Sequence, residues 1–545
     1  MNSGHDSSSQ PQVAAGGQCE VAAEDRARLY WEVAIGLSDR SLLGQEIAEP
    51  AVPEEEAELF AAREDGLTIE AWDDLNAGAI ETIRRLGLNE NAVRLCARDT
   101  FALDAQFAEQ LGHPDLARCL KDEHQRRPVR TCRSSLMLEM TAAECSFQVT
   151  GLTAGIIFCP CPVSGKILAS RHALIVPSPP TQCYVAYYFS GAEPFFIVAA
   201  GFGGTKSLLY LPRLNLIVRL QNPHHQWGEP WRHFVRKLKS LACRYPLTTR
   251  SYLQGQTKPA LAVGMIAGMG HWLWNDLSAL IAADRKGDLR DVDAAIVGPY
   301  DYFDATTIVS SRFSDVKKTN SNDDIYLAPL TAQLFAVRPS GASVTREGAA
   351  LICREAEKRV SEQQKQKAAE AGRRALLLWV NVRAHRKVWL NLPDELALLS
   401  RRLVKDFGDV GIYLDGMPDC EKVVQQIAAS VDKAVHIYDG TNVPLYDTIY
   451  WSSKIDYYIA TIGGGLIFVS WIAGKIGVAH GERQHLGQME FWPEVRPDVF
   501  VPLVPGLSDI REEKPRVAYT NYTIEPGVMT ELLYRVIRNN RLPRR

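Results

Sequence analysis

A histidine beside a glycine-rich turn is the residue of this sequence best suited to act as a base. The segment GMIAGMGHWLWNDLSAL follows an apolar run, and its glycines permit a tight turn and a close backbone approach to a ligand. His271 follows the turn, and Asn275 shares its face of the predicted helix. Because an imidazole titrates near neutral pH, we expect catalysis by His271 and Asn275, with Asp276 as the alternative base. A purely structural His271 that caps the helix stays open.

Basic side chains are concentrated in a second segment, VNVRAHRKVWLNLPDE, which follows another predicted strand. Guanidinium groups beside a helix N-terminus suit a phosphate or diphosphate, because their fork geometry and the helix dipole favour the same anion. We predict that Arg383 and Arg386 bind such a group, with Asn391 at the start of the helix and Lys387 as a further basic residue. His385 could point the other way, and a solvated basic surface is the alternative.

A third segment, DYYIATIGGGLIFVSWIAGKIGVAHGE, places three consecutive glycines between a predicted strand and an apolar helix. Without a Cβ atom, Gly463, Gly464 and Gly465 let backbone N–H groups approach an anion or a sugar. His480 and Glu482 end the next strand, where a carboxylate could hold ribose or sugar hydroxyls. A solvated loop carboxylate is the alternative for Glu482.

The elements that must position these residues form an alternating pattern in the last third of the chain. Five predicted strands, ALLLWVNV, VGIYLDG, VHIYDG, DYYIAT and IGVAHGE, are separated by predicted helices. Parallel neighbouring strands need such crossover connections, so the pattern predicts a parallel, doubly wound sheet. Ligands of these sheets bind at the carboxyl ends of the strands, where the candidate residues lie. Asp415, at the end of the second strand, is predicted to be a structural turn residue.

Residue composition divides the whole chain of 545 residues into further parts. The predicted fold class is two α/β lobes, of which the first is β-rich, preceded by an all-α N-terminal domain. The short runs SFQVTG, GIIFCPCPVSGK, HALIVPSPP and QCYVAYYF are predicted to be strands and turns. The predicted segments are a disordered tail at 1–22, a helical domain at 23–129, a β-rich then α/β lobe at 130–353, a polar linker helix at 354–374 and an α/β lobe at 375–545.

The charge balance argues against a polyanion as the general partner. The chain has 61 Lys and Arg against 64 Asp and Glu, a formal net charge of -3, so we expect no nucleic-acid binding. No apolar run approaches the roughly 20 residues that cross a bilayer, and the N-terminus does not resemble a signal peptide, so a cytoplasmic location is expected. The basic end RVIRNNRLPRR could contact anionic lipid at the membrane periphery, with a solvated terminus as the alternative.

Metal binding and several familiar hydrolytic mechanisms are not predicted. Cys159 and Cys161 in FCPCPVSGK lack the paired C-x2-C spacing of zinc sites, and the eleven cysteines are expected to be mostly reduced thiols. The sequence contains no phosphate-binding G-x4-GK[ST] loop, no H-E-x-x-H and no G-x-S-x-G. We therefore predict no metal site and no bound cofactor.

Together, GHWLWNDLSAL and IATIGGGLIFVSWIAGKIGVAHGE resemble the two lobes of a glycosyltransferase of the GT-B fold, over about residues 255–545. The resemblance implies that the acceptor enters from the first lobe and that the C-terminal lobe binds a nucleotide sugar, which is a substrate and not a cofactor. His271 would deprotonate an acceptor hydroxyl, while Arg383, Arg386 and the glycine amides stabilise the departing phosphate. A metal-independent, inverting transfer is expected.

The resemblance leaves the acceptor and three rival functions open. The acceptor would be a protein, or a polysaccharide or lipid-linked glycan, and the helical domain could bind it. A nucleotide-sugar epimerase can have the same architecture and would need no acceptor. The second rival is a non-catalytic protein that binds a partner through its N-terminal helices, and the third is a zinc-stabilised adaptor.

Overall fold

The computed structural model describes residues 16–38, 51–63, 66–71, 75–126, 145–178, 182–201, 204–220, 230–310, 313–514 and 519–540. Most of the predicted tail at 1–22 lies outside these residues, although the first helix begins within it, at Gly16. The last five residues of the basic C-terminus also lie outside them. The predictions of a disordered tail and of membrane contact therefore stay predictions.

Helices and strands alternate along most of the described chain. The helices are α1 (Gly16–Ala34), α2 (Glu54–Arg63), α3 (Ala77–Arg85), α4 (Glu90–Cys96), α5 (Phe101–Gln110), α6 (Pro114–Arg126), α7 (Ser146–Ala154), α8 (Pro230–Arg244), α9 (Pro246–Gln254), α10 (Met269–His271), α11 (Ser278–Lys286), α12 (Ala305–Ile308), α13 (Asn322–Thr331), α14 (Arg346–Arg359), α15 (Glu362–Ala371), α16 (Leu392–Phe407), α17 (Glu421–Ser430), α18 (Leu445–Lys454), α19 (Gly464–Ile467), α20 (Arg483–Leu486), α21 (Trp492–Val495) and α22 (Val528–Asn539). The strands are β1 (Leu67–Glu70), β2 (Ile157–Pro160), β3 (Ile167–Ser170), β4 (His172–Ser178), β5 (Gln182–Ser190), β6 (Pro194–Ala200), β7 (Thr205–Leu211), β8 (Leu216–Arg219), β9 (Lys258–Val263), β10 (Ala294–Val297), β11 (Asp315–Lys318), β12 (Leu334–Val337), β13 (Leu376–Asn381), β14 (Val410–Asp415), β15 (Val435–Gly440), β16 (Tyr457–Thr461), β17 (Ile476–His480), β18 (Ile510–Glu512) and β19 (Tyr522–Ile524).

A six-stranded sheet in the order β1-β8-β7-β6-β5-β4 confirms the predicted β-rich region. One of its faces packs against α1, α2, α8 and α9, which bury Trp31, Phe60 and Leu238 with the strands. The prediction of an all-α N-terminal domain is wrong in one respect, because β1 lies within the helical region and pairs in parallel with β8. Glu70 also forms an ion pair with Arg219 across this pairing. The N-terminal helices therefore share a core with the sheet.

The segment SFQVTG, predicted to be a strand, instead begins the helix α7. The carboxylate of Asp99 accepts hydrogen bonds from the Phe147 backbone N–H at 3.2 Å and from the Ser146 hydroxyl at 2.8 Å. These bonds satisfy donors at the start of the helix, which have no acceptor in a preceding turn. A carboxylate distant in sequence thus stabilises a helix that local β propensity disfavours.

Two parallel sheets follow the six-stranded one. The first, in the order β11-β10-β9-β12, is the α/β part of the region before residue 353, and the second has the order β15-β14-β13-β16-β17. All five predicted strands of the second sheet are present, and their pairings are parallel, as predicted. In each sheet the strand order reverses beside the first strand, which leaves a crevice at the carboxyl ends of β9 and of β13.

The polar segment at 354–374, predicted to be a single linker helix, forms parts of two helices. The helical conformation is interrupted between α14 and α15, where the Ser361 side chain accepts a hydrogen bond from the Gln364 backbone N–H and caps α15. Gln364 also accepts a hydrogen bond from Trp451 of α18 at 2.9 Å. Both helices contact α18, so the segment is packed against a helix of the second parallel sheet and is not simply solvated. Among the described residues, the helices are too short or too polar to cross a bilayer.

Candidate functional site

Two glycine turns, one from each parallel sheet, meet at the carboxyl ends of β9 and β16. A Cβ atom added to Gly270 would lie 2.9 Å from Ile467 Cδ1 and 3.0 Å from Gly464 Cα. This closeness favours glycine at position 270, because a Cβ atom there would press on the second turn. The structure therefore brings together the first and third of the segments that the sequence singled out.

Each turn continues into a helix that widens into a π-helix. The π-helical segments are Trp272–Leu277, between α10 and α11, and Phe468–Ile472, after α19. They pack through aromatic side chains, with ring centroids 5.1 Å apart for Trp274 and Trp471 and 5.9 Å apart for Trp274 and Phe491. Short π-helical segments inside α-helices are frequent at functional sites.

The predicted base His271 is half-buried on the first turn. Its Nδ1 lies 3.0 Å from Oδ1 of Asn275, and the Asn275 amide donates to the Gly341 carbonyl at 2.7 Å. The His271 ring is nearly parallel to the ring of Trp274, at 24° and a centroid distance of 5.7 Å. The predicted pair of His271 and Asn275 is thus in direct contact.

Asp276, the alternative base, has a structural position. It is 1% exposed and forms an ion pair with Arg338 at 3.0 Å. Burial raises the pKa of Asp276 to about 6, and the positive charge of Arg338 opposes that rise. Arg338 also donates to the Gly201 carbonyl at 2.6 Å. Arg338 thus occupies one oxygen of this carboxylate within the fold, and a catalytic role for Asp276 stays a prediction.

Lys387 lies under the second glycine turn. It is 4% exposed, and its Nζ donates to the carbonyl of Ile462 at 2.9 Å. A Cβ atom on Gly463 would lie 3.1 Å from that Nζ. Burial and, to a smaller extent, the charge of Arg383 lower the pKa of Lys387 to about 7, against the opposing effect of the Glu482 charge. The lysine that the sequence treated as secondary is therefore the basic group closest to the glycines.

The basic loop turns sharply at its centre. Arg386 and Lys387 have φ angles of 53° and 58°, in the left-handed region that non-glycine residues rarely adopt. The turn directs Lys387 inward while Arg386 and His385 are exposed, and His385 pairs with Asp419 at 3.4 Å. The sequence predicted that Arg386 points toward a phosphate and that His385 could point the other way. In the structure both side chains are exposed.

Arg383 is half-buried at the end of β13, and its positive charge affects several buried groups. It lowers the pKa values of Lys387 and His480, so its guanidinium lies near both. Its Nε atom is buried and has no hydrogen-bond partner among the described residues. Of the two arginines predicted to bind phosphate, Arg383 is the one whose charge acts on Lys387, while Arg386 is exposed.

His480 and Glu482 are buried at the end of β17, and each is 1% exposed. His480 Nδ1 is 2.7 Å from the Tyr522 hydroxyl, and burial together with the charges of Arg383 and Lys387 lowers the His480 pKa to about 3. It is therefore neutral at physiological pH. Its Nε2 atom has no partner among the described residues.

The carboxylate of Glu482 is largely occupied by neighbouring groups. Its Oε1 accepts hydrogen bonds from His485 Nδ1 and from the Tyr519 backbone N–H. Burial would raise the Glu482 pKa, but the contact with His485 and the charge of Lys387 bring it below its ordinary value. Its Oε2 lacks a partner among the described residues. One oxygen thus remains for the predicted contact with a sugar.

Asn391, predicted to bind the ligand, instead joins two parts of the fold. Its Oδ1 accepts from Trp389 Nε1 at 2.8 Å and from the Ile524 backbone N–H at 3.1 Å. Its Nδ2 donates to the Ile524 carbonyl at 2.8 Å. These bonds attach the start of α16 to β19, and they leave the amide occupied within the fold. A direct role of Asn391 in binding the ligand stays a prediction.

Sequence reasoning missed Asn381, which lies under Gly465. A Cβ atom on Gly465 would lie 2.5 Å from the Asn381 Cγ, and Asn381 Nδ2 donates to Asp415 Oδ2 at 2.6 Å. Burial raises the pKa of Asp415 to about 7, and the bond from Asn381 opposes that rise. A polar residue at the end of the apolar run LLLWVN was the signal that could have identified Asn381. His485, three residues after Glu482, carried a similar signal.

The described residues contain no group of three or more His, Cys, Asp and Glu side chains that could hold a metal ion. Cys159, which the sequence considered for zinc, lies 3.4 Å from Cys96, measured between the two sulfur atoms. Burial and this contact raise the pKa of the Cys159 thiol well above its ordinary value. Together these observations describe a buried thiol pair.

The site combines an imidazole on one side of the contact between the two turns with basic groups and glycine backbone on the other. Such an arrangement can hold an anion at the second turn and accept a proton at the first.

Comparison with known proteins gives structural likenesses only. No protein-family model matches the chain, and no curated protein matches it by sequence. Among solved structures, the chain is similar to the glycosyl transferase family 9 protein from Veillonella parvula DSM 2008, with a TM-score of 0.32 and 9% identity, over 52% of this chain and 96% of that one. It is also similar to the E. coli ADP-heptose lps heptosyltransferase II, with a TM-score of 0.33 and 11% identity, over 52% of this chain and 100% of that one. Both are glycosyltransferases, the class that the sequence resembles, but likenesses at this level do not establish an activity for this chain.

Proposed function

We propose that the chain is a glycosyltransferase of the GT-B type, which moves a sugar from a nucleotide sugar to the hydroxyl group of an acceptor. The observation that carries this proposal is the contact between the two glycine turns. It places a half-buried histidine on one side of the junction, and glycine amides with two basic side chains on the other. A transfer of this kind needs a base and an anion site that face the same bond.

The basic side of the junction would hold the diphosphate of the donor. Lys387 and Arg383 supply positive charge. The backbone N–H groups of Gly464 and Gly465 lie at the start of the helix Gly464–Ile467, before those of Leu466 and Ile467, which donate to the Gly463 carbonyl. These groups would also stabilise the charge that develops on the leaving phosphate oxygen. Because the protein supplies this charge, the proposed reaction requires neither a metal ion nor a cofactor, and the nucleotide sugar is its substrate.

The histidine side would activate the acceptor. His271 removes the proton of an acceptor hydroxyl as the hydroxyl oxygen forms a bond to the anomeric carbon. The bond from that carbon to the phosphate oxygen breaks, and the nucleoside diphosphate leaves with its electron pair. A single displacement inverts the anomeric centre. The acceptor, a glycan or a protein, would approach from the first parallel sheet and the N-terminal helices.

Nucleotide binding tests the donor site before any acceptor is known. We expect one or more of UDP, GDP, ADP, CMP and dTDP, or their sugars, to raise the melting temperature of the full chain. A ligand at about 100 times its Kd stabilises the native state by about 2.7 kcal/mol. Arg383→Ala should abolish the shift. His385→Ala is the matched control, because His385 lies in the same loop but faces solvent.

A nucleotide that stabilises the protein then identifies the donor for turnover assays. Release of nucleoside diphosphate that depends on an added acceptor extract supports a transferase. Conversion of the nucleotide sugar to its epimer without an acceptor would favour an epimerase instead. If none of the nucleotides stabilises well-folded protein, the proposed donor site is wrong.

A further inference from the structure

We infer that Asn275 is a positioning residue that fixes the orientation and the tautomer of His271, so that Nε2 is the nitrogen that accepts the proton. The inference depends on the proposed function only for the role of His271 as a base. The geometry that supports it is internal to the first glycine turn and its π-helix.

The hydrogen bonds of Asn275 determine which way its amide faces. Asn275 is fully buried, and its Nδ2 lies 2.7 Å from the carbonyl oxygen of Gly341, which can only accept a hydrogen bond. The amide oxygen therefore faces His271. Since that oxygen is also only an acceptor, His271 Nδ1 must carry the proton of their 3.0 Å contact. A neutral imidazole protonated at Nδ1 has its lone pair at Nε2.

The position of Asn275 is itself held from several directions. The Gly341 backbone N–H donates to the Asn275 carbonyl at 3.1 Å, so the two residues exchange hydrogen bonds. The neighbouring Ser340 N–H donates to Gln148 of α7 at 2.9 Å, and Arg338 pairs with Asp276. These contacts hold the loop between β12 and α14 in place around Gly341, the residue that accepts the hydrogen bond from the Asn275 amide.

Two contacts together fix the His271 ring. The ring of Trp274 lies nearly parallel to it and restrains its plane, while Asn275 restrains rotation within that plane. Of the charged groups on the surrounding elements, Asp276 and Arg338 are paired with each other, and Lys387 and Arg383 lie beside the second glycine turn. A neutral amide can therefore select the tautomer without adding the negative charge that would favour the imidazolium form.

Nuclear magnetic resonance of protein labelled with ¹⁵N at histidine tests the inference without any substrate. The His271 signals are assigned by their loss in His271→Gln. We expect the wild-type ring to carry its proton at Nδ1 at pH values where it is neutral, and Asn275→Ala to release it into a mixture of tautomers. A wild-type ring protonated at Nε2 would overturn the inference, even if the chain proves to be a transferase.

Kinetics provide the second test. Asn275→Ala should lower kcat by about 10²-fold with the donor KM unchanged, because a misdirected base no longer faces the hydroxyl. Asn275→Asp, which keeps the shape of the side chain, should move the acidic limb of the kcat profile to higher pH by about one unit, because a carboxylate favours the imidazolium. If Asn275→Ala does not fold, Asn275→Asp alone provides the kinetic test.

Ser278→Ala is the matched control for both variants. Ser278 lies on the same helix and donates to the Leu273 carbonyl at 2.8 Å, so its removal costs a buried hydrogen bond at the same π-helical segment. We expect its pH profile to match that of the wild type. An Asn275→Asp profile that coincides with the wild-type profile would assign Asn275 a purely structural role and refute the inference. Absence of turnover in every form, with the Nδ1 tautomer observed, would contradict the proposed function alone.

Discussion

The turn after β9 and the turn after β16 have similar local architecture but carry different chemical groups. Each follows a buried parallel strand, contains a glycine with positive φ, Gly264 or Gly463, and continues into a helix with a π-helical segment. The first turn ends in a titratable side chain, His271, that an amide holds in place. The helix after the second turn, GGLIFVSWI, has no titratable side chain.

This difference shows how one local structure serves two purposes. In the first turn the backbone positions a side chain, whereas in the second the absence of side chains exposes the backbone. The charge beside the second turn comes from the loop after β13, through Lys387 and Arg383. Changes in the first turn should therefore affect proton transfer, and changes around the second should affect binding of the anion.

The largest expected effect separates these two roles. His271→Ala should lower kcat by about 10²- to 10⁴-fold, the usual contribution of a general base. The affinity for the nucleoside diphosphate should be unchanged, because the second turn is intact. Steady-state kinetics and calorimetric titration with the nucleotide provide the two measurements. A loss of nucleotide affinity equal to the loss of kcat would show that proton transfer and anion binding are not separated between the two turns.

Removal of Arg338 tests whether the first turn contains a functional carboxylate in addition to the imidazole of His271. Arg338→Met would leave the buried carboxylate of Asp276 without its cation, and we expect the free energy of unfolding to fall by about 3–5 kcal/mol. The double variant with Asp276→Asn should recover part of that loss. Urea denaturation provides the measurement. If Asp276→Asn alone removes turnover while leaving nucleotide binding and stability intact, Asp276 is catalytic and its assignment as structural fails.

The second parallel sheet could be predicted from the sequence because its strands are buried on both faces. Such strands appear as continuous apolar runs, and LLLWVN and YYIAT are unmistakable examples. The short strand β1 could not be predicted, because four residues near the N-terminus become a strand only by pairing with β8, which lies far along the chain. The π-helical segments leave no distinct local signal, since their residues have the same apolar pattern as an α-helix.

The parts of the candidate site whose residues lie close together in sequence could be predicted. Glycines after a strand and a histidine at a helix start are visible within one segment. The partners of Asn391 and Asp276 could not be predicted because they are remote: Asn391 bonds to Ile524, 133 residues later, and Asp276 to Arg338, 62 residues later. Local sequence cannot show that a polar side chain will be occupied by a distant group. The inward direction of Lys387 likewise depends on an unusual backbone turn.

The contact between the turns is itself asymmetric, which gives a paired test. Gly270→Ala would place a Cβ atom 2.9 Å from Ile467 Cδ1, whereas the nearest atom to a Cβ atom on Gly464 is 4.0 Å away. We expect Gly270→Ala to lower the free energy of unfolding by about 1–3 kcal/mol, as overpacking does. Gly464→Ala should change it by less than about 0.5 kcal/mol. Equal effects in thermal denaturation would contradict the observed packing.

Gly465 offers a further comparison within the second turn. A Cβ atom there would meet the side chain of Asn381, which is held by Asp415. Gly465→Ala should therefore displace Asn381 and weaken nucleotide binding by about tenfold, a cost of about 1.4 kcal/mol. Gly487→Ala is the control, because no atom lies within 4 Å of its added Cβ. Unchanged binding by Gly465→Ala, measured by calorimetry, would show that the turn adapts without loss.

The smallest expected effect is a pH dependence that the second turn should show through Lys387. Burial lowers the Lys387 pKa to about 7, so the amine loses its charge as pH rises above that value. If the charged amine binds the diphosphate, Kd should increase by up to about tenfold in total from about pH 7 to about pH 9. The free energy of unfolding should increase over the same range, although nucleotide binding weakens. Over that range the unfolded lysine binds a proton that the folded one has lost, so its contribution to the free energy of unfolding rises with pH. Lys387→Met should remove both trends, whereas Lys422→Met, at an exposed position of α17, should leave them intact. A wild-type Kd independent of pH, measured by calorimetry beside the two variants, would show that Lys387 supports the turn without contributing charge to the ligand.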